Sequence, residues 1–166
     1  MTEPAHTPPA LQPWIEDPEA VAARPARPVH LHLGHILLVI AGGIGGTLAR
    51  YGLGTVLPAP AGWPLPTLLI NLCGALLLGL LLENLVRRGP DQGALRIIRL
   101  LVGTGCMGAF TTYSSLVLDA NVLLSNGRIS GAALYLGLSL VGGLAATTAG
   151  IWAGALLHRS AGGGPT

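Results

Sequence analysis

The residues most able to do chemistry form one glycine- and hydroxyl-rich stretch, residues 103–115, which reads GTGCMGAFTTYSS. It lies inside an apolar segment, yet glycine and the Thr-Thr-Tyr-Ser-Ser run are poor helix formers because hydroxyls compete for backbone hydrogen bonds. The pattern predicts a membrane helix that breaks near residues 108–111. Free backbone groups at such a break must be satisfied by protein, water or an ion, so the stretch is a candidate ion site. An unbroken helix with a glycine-rich packing face is the competing interpretation.

Two other apolar segments carry polar side chains that could complete such a site. Asn71 is the strongly polar residue in the body of the second segment, and Gly74 follows on the same face. A small or polar residue recurs every four positions in the fourth segment: Tyr135, Ser139, Gly143 and Thr147. Together these residues predict a polar track through the protein. The alternatives are that Asn71 bonds another helix and that the hydroxyls bond their own helix.

The composition is that of an integral membrane protein. Of its 166 residues, 51% are hydrophobic and 10% are charged, whereas soluble domains average about 25% charged residues. The formal net charge of +2 comes from dispersed arginines, so nucleic-acid binding is not expected. The chain also lacks a nucleophile, base and orienting group in a recognisable pattern, so it is not expected to be an enzyme.

Four apolar segments must position the candidate residues. They are predicted at about residues 34–57, 67–85, 97–124 and 129–157. They form a membrane domain over residues 30–159, which makes the predicted fold all-α. Residues 1–29 are rich in proline and are predicted to be a disordered cytoplasmic tail, and residues 160–166 a flexible end.

The first segment and its approach hold two further features. Gly42, Gly46 and Arg50 share one helix face. The glycines would let another helix approach closely, and Arg50 must snorkel, pair or reach water. Just before this segment lies a small histidine cluster, His30, His32 and His35. A metal site there is less favoured than histidines at the membrane interface.

Three motifs in these segments resemble the CrcB/Fluc fluoride channels. Residues 42–51 carry that family's glycine-rich stretch ending in Arg-Tyr, and residues 67–74 carry Thr-Leu-x-x-Asn-x-x-Gly. Residues 105–114 carry Gly-x-x-Gly-x-Phe-Thr-Thr followed by an aromatic residue and Ser. The resemblance covers about residues 42–157. It implies a passive, fluoride-selective channel of the cell membrane that lowers cytoplasmic fluoride, with both termini cytoplasmic.

The resemblance also implies an assembly and a set of site residues. Family members are antiparallel dimers of four-helix subunits with two narrow pores, embedded in membrane lipid. A sodium ion at the dimer centre is held by backbone carbonyls at the break, which map to Gly108 and Thr111. The fluoride pathway maps to Asn71, Phe110, Tyr113, Ser114, Tyr135 and Ser139. Structural roles map to Gly42, Gly46, Arg50 and Gly74.

The chemistry of these side chains fits fluoride. The ion is small and strongly hydrated, so it needs hydrogen-bond donors that replace water, as amides and hydroxyls can. Where the family has Thr-Thr-Phe-Ser-Thr-Phe, this chain has Tyr113 and Leu116 in place of the two phenylalanines. Tyr113 keeps a polarised ring edge that can face an anion, and Leu116 does not. Ala75 and Gly143 replace two further positions that often carry hydroxyls.

The arginine distribution bears on the partner. With the N-terminus inside, seven of the nine arginines are cytoplasmic, and only Arg50 and Arg128 are outside. A homodimer whose subunits insert in both directions needs a weak bias. We therefore hypothesise that the subunit inserts one way and pairs with an oppositely oriented paralogue that supplies the missing ring.

Two other functions compete with a conducting subunit. A small proton-coupled multidrug antiporter would need a titratable carboxylate inside the membrane, but Glu83 and Asp119 lie near span ends. Asp119 is expected to act as a cap or at the interface. A non-conducting subunit that only completes a heterodimer is the other alternative, and Leu116 is its best support.

Overall fold

The computed structural model describes residues 32–161, with side chains up to His158, and every regular element in this range is helical. The predicted tail at residues 1–29, His30 and residues 162–166 lie outside the described range. The long helices are α1 (Leu33–Val56), α2 (Leu65–Arg88), α3 (residues 93–110), α4 (Tyr113–Ser125) and α5 (Ile129–Ala161). A short 3-10 turn, Pro60–Gly62, connects α1 to α2.

Four helical spans in the described range are long and apolar enough to cross a membrane. The third span, Gly93–Ser125, is composite, because α3 and α4 meet at a break. The predicted all-α fold with four membrane helices and a broken third helix is therefore confirmed. Most large apolar side chains point outward, as expected for a multi-pass membrane protein whose surroundings are lipid.

Glycines let α1 lie directly against the backbone of α3. A Cβ atom added at Gly42 would overlap the carbonyl oxygen of Leu101, and one at Gly46 would overlap that of Cys106. From the other side, a Cβ at Gly105 would lie 2.6 Å from the Val39 carbonyl oxygen. The face that Gly42, Gly46 and Arg50 share is thus the α1–α3 interface.

A second close contact joins α2 to α5, and the sequence did not predict it. A Cβ at Gly79 would lie 2.5 Å from the Thr147 carbonyl oxygen, and one at Gly150 would overlap that of Leu76. These two helices share the most extensive helix–helix interface in the described chain. Because α2 carries Asn71 and α5 carries Ser139 and Thr147, this interface sets how Asn71 faces the polar side chains of α5.

The centre of α3 is a π-helix, which the sequence also did not predict. Regular α-helix covers Gly93–Ile98, π-helix covers Arg99–Met107, and one final α-turn covers Gly108–Phe110. The buried Gly103 and Gly105 lie in the π segment, where they give no side-chain bulk against the neighbouring helices. π-Helical turns are rare and often lie beside functional sites, and this one ends directly before the break.

The two ends of the bundle are held differently. At one end Arg128 donates a 2.9 Å hydrogen bond to the Ala61 carbonyl and so joins the α1–α2 and α4–α5 connections. At the other end Asp91 pairs with Arg99 and, at 3.6 Å, with Arg96. His32 and His35 lie at the start of α1, on the same side of the bundle as Asp91, and their ring centroids are 5.5 Å apart. No group of three metal-ligating side chains occurs among residues 32–158.

Candidate functional site

The break in the third span lies at Thr111 and Thr112. Their backbones are extended, with φ −77° and ψ 155° at Thr111 and φ −146° and ψ 120° at Thr112. Helix α4 starts at Tyr113, capped by the Thr112 hydroxyl, which accepts a 3.1 Å hydrogen bond from the Ser115 amide. The break overlaps the predicted interval at Thr111 and extends one residue beyond it. The alternative of an unbroken helix is wrong.

Side chains from α1 and α2 bind backbone groups at the break. The Asn71 amide group donates to the Thr112 carbonyl at 3.0 Å, and its oxygen accepts from the Thr112 amide at 2.8 Å. Arg50 Nε donates to the Ala109 carbonyl at 3.1 Å. Asn71 thus bonds another helix, which was the alternative to a place in the polar track. Its second amide hydrogen has no partner among the described residues.

The carbonyls of Gly108 and Thr111 at the break have no hydrogen-bond donor in the described chain. The amide and hydroxyl of Thr111 both donate to Met107, at 3.0 and 2.9 Å. The Phe110 carbonyl also has no donor within residues 32–161. Carbonyl oxygens left free in this way are the ligands that hard cations take from protein backbones, so the residues present fit the sodium site that the resemblance implies.

A cavity of about 340 Å³, here called the break cleft, lies beside these groups. Its lining includes Asn71, Gly74, Ala75, Thr111, Tyr113 and Thr147. A larger groove of about 1040 Å³ runs between α4 and α5, and its lining includes Tyr113, Ser114, Leu116 and Ser139. Tyr113, which is 79% exposed, lines both. The structure therefore brings Asn71, Tyr113, Ser114 and Ser139 to two adjoining surfaces.

Two predicted pathway residues lie away from these cavities. Tyr135 is completely buried, and its hydroxyl donates to Asp119 at 3.4 Å while its ring meets Trp63 edge-on. Phe110 is also buried and packs against Gly74, where an added Cβ would come within 3.2 Å of the phenyl ring. Gly74 itself leaves room for the Thr111 methyl group.

The fourth-helix stripe binds its own helix, and Asp119 corrects a prediction. Ser139 donates to the Tyr135 carbonyl at 2.8 Å, and Thr147 donates to the Gly143 carbonyl at 2.9 Å. Their protons are therefore engaged, as the alternative interpretation held. Asp119 was expected to cap a helix or lie at the interface, but it sits mid-way along α4 and receives the Tyr135 hydroxyl. Residue spacing alone gave no sign that the Asp119 carboxylate would contact Tyr135, a residue of the predicted polar track.

A third cavity surrounds Arg50 and was missed by the sequence reasoning. Its volume is about 430 Å³, and its lining includes Thr47, Arg50, Tyr51, Thr67, Thr112 and Ser115. We call it the arginine cavity. One guanidinium and several hydroxyls face a space that ends at the break, so the cavity favours anions. The available signal was the i, i+3 spacing of Thr47 and Arg50, which places both on one side of α1.

Comparisons with known protein sequences identify relatives of this chain. The family described as CrcB-like protein, Camphor Resistance (CrcB), matches residues 37–151. A protein of Leifsonia xyli named fluoride-specific ion channel FluC 2 is 43% identical over 137 residues, which cover 82% of this chain and 94% of that protein. A protein of Hyphomonas neptunium named fluoride-specific ion channel FluC is 37% identical over 121 residues, covering 72% and 93%. The chain therefore belongs to the CrcB family.

Proposed function

We propose that this chain is a subunit of a fluoride-selective channel that lowers cytoplasmic fluoride by passive export, and that it is not an enzyme. The observation that carries the proposal is the broken third span, in which backbone groups freed inside a membrane helix adjoin amide and hydroxyl donors. The relatives named as fluoride-specific channels support the same reading.

Fluoride would be held by donors that replace its water. The amides of Tyr113 and Ser114, at the start of α4, have no acceptor among residues 32–161, and a helix start attracts negative charge. The second amide hydrogen of Asn71 and the ring edge of Tyr113 add weak donors. The arginine cavity would draw the anion toward the break from the other side.

Conduction also requires that the ion leave. None of these donors is a full cation inside the break cleft, so binding there is weak enough for release. Tyr135 and Ser139 remain in the proposed pathway, and for Tyr135 this requires that its proton become available. The Tyr135 contact with Asp119 is 3.4 Å, which is long for an O–H···O hydrogen bond. Tyr135 is completely buried, so an anion would take that proton only when the packing around its ring opens.

We further propose that the Gly108 and Thr111 carbonyls hold a structural sodium ion in an antiparallel dimer. The absence of donors to both oxygens in the described chain supports this assignment. When bound, the ion would supply a fixed positive charge that holds the two breaks together. The residues of this chain fix the backbone on either side of the proposed ion site.

The proposed location is the cell membrane, with both termini cytoplasmic. This orientation follows from the arginine count, which includes Arg24 and Arg27 outside the described residues. Topology reporters fused to the C-terminus are expected to show one orientation, which would require an oppositely oriented paralogue as the partner. Equal populations of both orientations would contradict this and favour a homodimer.

The function is tested by fluoride efflux from liposomes that contain the purified chain alone, with chloride efflux as the control. We expect fluoride efflux well above the rate of empty liposomes and no matching chloride efflux. Selective efflux means that the chain is self-sufficient as a homodimer. No efflux from folded protein, followed by efflux after co-expression with a paralogue, means that the subunit conducts only as part of a heterodimer. No efflux in either case would reject the channel function.

A further inference from the structure

Two side chains outside the third span decide which carbonyl oxygens of the break remain free. We infer that Arg50 and Asn71 are positioning residues that act as a two-sided clamp on the break. The inference rests on the proposed channel function, because the role of the clamp is to leave the Gly108 and Thr111 carbonyls free for a cation. It assigns Asn71 a role in the backbone of the site that is separate from any contact with fluoride.

The pattern of bound and free carbonyls supports the clamp. Along the break, the Ala109 carbonyl is bound by Arg50 and the Thr112 carbonyl by Asn71. The Gly108 and Thr111 carbonyls, each next to a bound one, have no donor in the described chain. The Phe110 carbonyl also lacks a donor, so the two side chains occupy two of the five carbonyls from Gly108 to Thr112 and leave three free. The clamp therefore selects among them.

The Asn71 contact is specific to an amide side chain. Its nitrogen and its oxygen both bind one residue, Thr112, at 3.0 and 2.8 Å, and the contact is partly buried. This fixes both peptide groups of Thr112 at once, because a donor and an acceptor must stand side by side. A carboxylate supplies only acceptors, and an aliphatic side chain supplies neither.

The Arg50 contact is set by the close packing of α1. Gly42 and Gly46 hold α1 against the α3 backbone, so Arg50, on the same face, reaches the next turn of that helix at Ala109. Its bond is charge-assisted and partly buried, which makes it stronger than an exposed neutral one. The two clamp residues thus come from separate helices and bind the third span at Ala109 and Thr112, three residues apart.

The chain provides matched controls for both residues. Asn84 lies on the same helix as Asn71 but donates to the Leu80 carbonyl of its own helix at 2.8 Å. Arg128 donates to the Ala61 carbonyl at 2.9 Å, in a connection away from the break. Asn84→Ala and Arg128→Lys therefore remove an amide and a guanidinium contact without touching the third-span backbone.

The first measurement is fluoride efflux from proteoliposomes as a function of sodium concentration and, separately, of fluoride concentration. For Arg50→Lys we expect the half-saturating sodium concentration to rise about tenfold, the factor for one lost hydrogen bond. For Asn71→Leu, which loses two, we expect a rise of about tenfold or more. Arg50→Lys keeps the positive charge, so its effect reports the lost Nε contact. Asn84→Ala and Arg128→Lys are expected to keep the wild-type sodium dependence.

The second measurement is amide hydrogen exchange of the full-length protein, read at Thr112 by mass spectrometry with single-residue fragmentation. Asn71→Leu should speed exchange there about tenfold, because the Thr112 amide loses its acceptor. A changed fluoride dependence with unchanged sodium dependence and unchanged Thr112 exchange would overturn the clamp and make Asn71 a direct ion ligand. If the wild type shows no sodium dependence or no efflux, the sodium site or the channel function fails instead, and exchange at Thr112 alone decides the clamp.

Discussion

Gly46→Ala is expected to abolish the folded channel, while Gly45→Ala, one residue earlier, leaves it intact. An added methyl at Gly46 would overlap the Cys106 carbonyl, which is main chain and cannot turn away, whereas Gly45 has open space around it. Overpacking of a tight interior costs about 1–3 kcal/mol and more where the backbone must move. In a helix, Ala is otherwise favoured over Gly by about 1 kcal/mol, so the Gly45 variant should be at least as stable as the wild type.

The measurement is the yield of monodisperse protein after gel filtration, together with its thermal unfolding midpoint. We expect the Gly46 variant to aggregate or to unfold at a clearly lower temperature. If both variants behave like the wild type, α1 and α3 do not pack as closely as described. If both fail, the cause lies in α1 generally and not in its contact with α3.

Tyr113→Leu is expected to lower fluoride efflux about tenfold or more, whereas Tyr113→Phe should retain most of it. Tyr113 lines both the break cleft and the α4–α5 groove, and it is the aromatic residue left where the family has two. A ring edge carries partial positive charge that an aliphatic side chain lacks. The hydroxyl is expected to be dispensable, since it makes no hydrogen bond within the described chain.

Initial efflux rates at equal amounts of folded protein in liposomes measure this effect. Because Tyr113 is largely exposed, neither variant should change the unfolding midpoint, which separates conduction from folding. Equal rates for the Leu and Phe variants would show that the ring plays no part in conduction. The counterpart, Leu116, is partly buried against the cluster around Tyr135. Under the proposed heterodimer, the partner would supply the second ring edge.

The helices and the break were predictable because local signals encode them. Apolar length gives the spans, and the glycines with the Thr-Thr-Tyr-Ser-Ser run predict a break near residues 108–111, which the observed break at Thr111 and Thr112 overlaps at Thr111. The face shared by Gly42, Gly46 and Arg50 follows from helical spacing alone, and the structure puts it against α3.

What escaped prediction depends on partners that are distant in sequence. The two hydrogen bonds of Asn71 reach a residue 41 positions away, and the contact of Asp119 with Tyr135 needs α4 and α5 to be packed first. The π-helix at Arg99–Met107 changes the number of residues per turn. Helical wheels drawn at 3.6 residues per turn therefore assign wrong faces through this segment.

The closest contacts between helices pair a glycine on one helix with main-chain atoms of the other. At Gly42, Gly46 and Gly150, what an added methyl would strike is a carbonyl oxygen of the opposite helix, not a side chain. Every amino acid carries that oxygen, so the contact itself does not depend on the side chain of the residue that presents it. At these contacts the demand for one residue type therefore falls on Gly42, Gly46 and Gly150, while Leu101, Cys106 and Leu76 contribute only main-chain atoms to them.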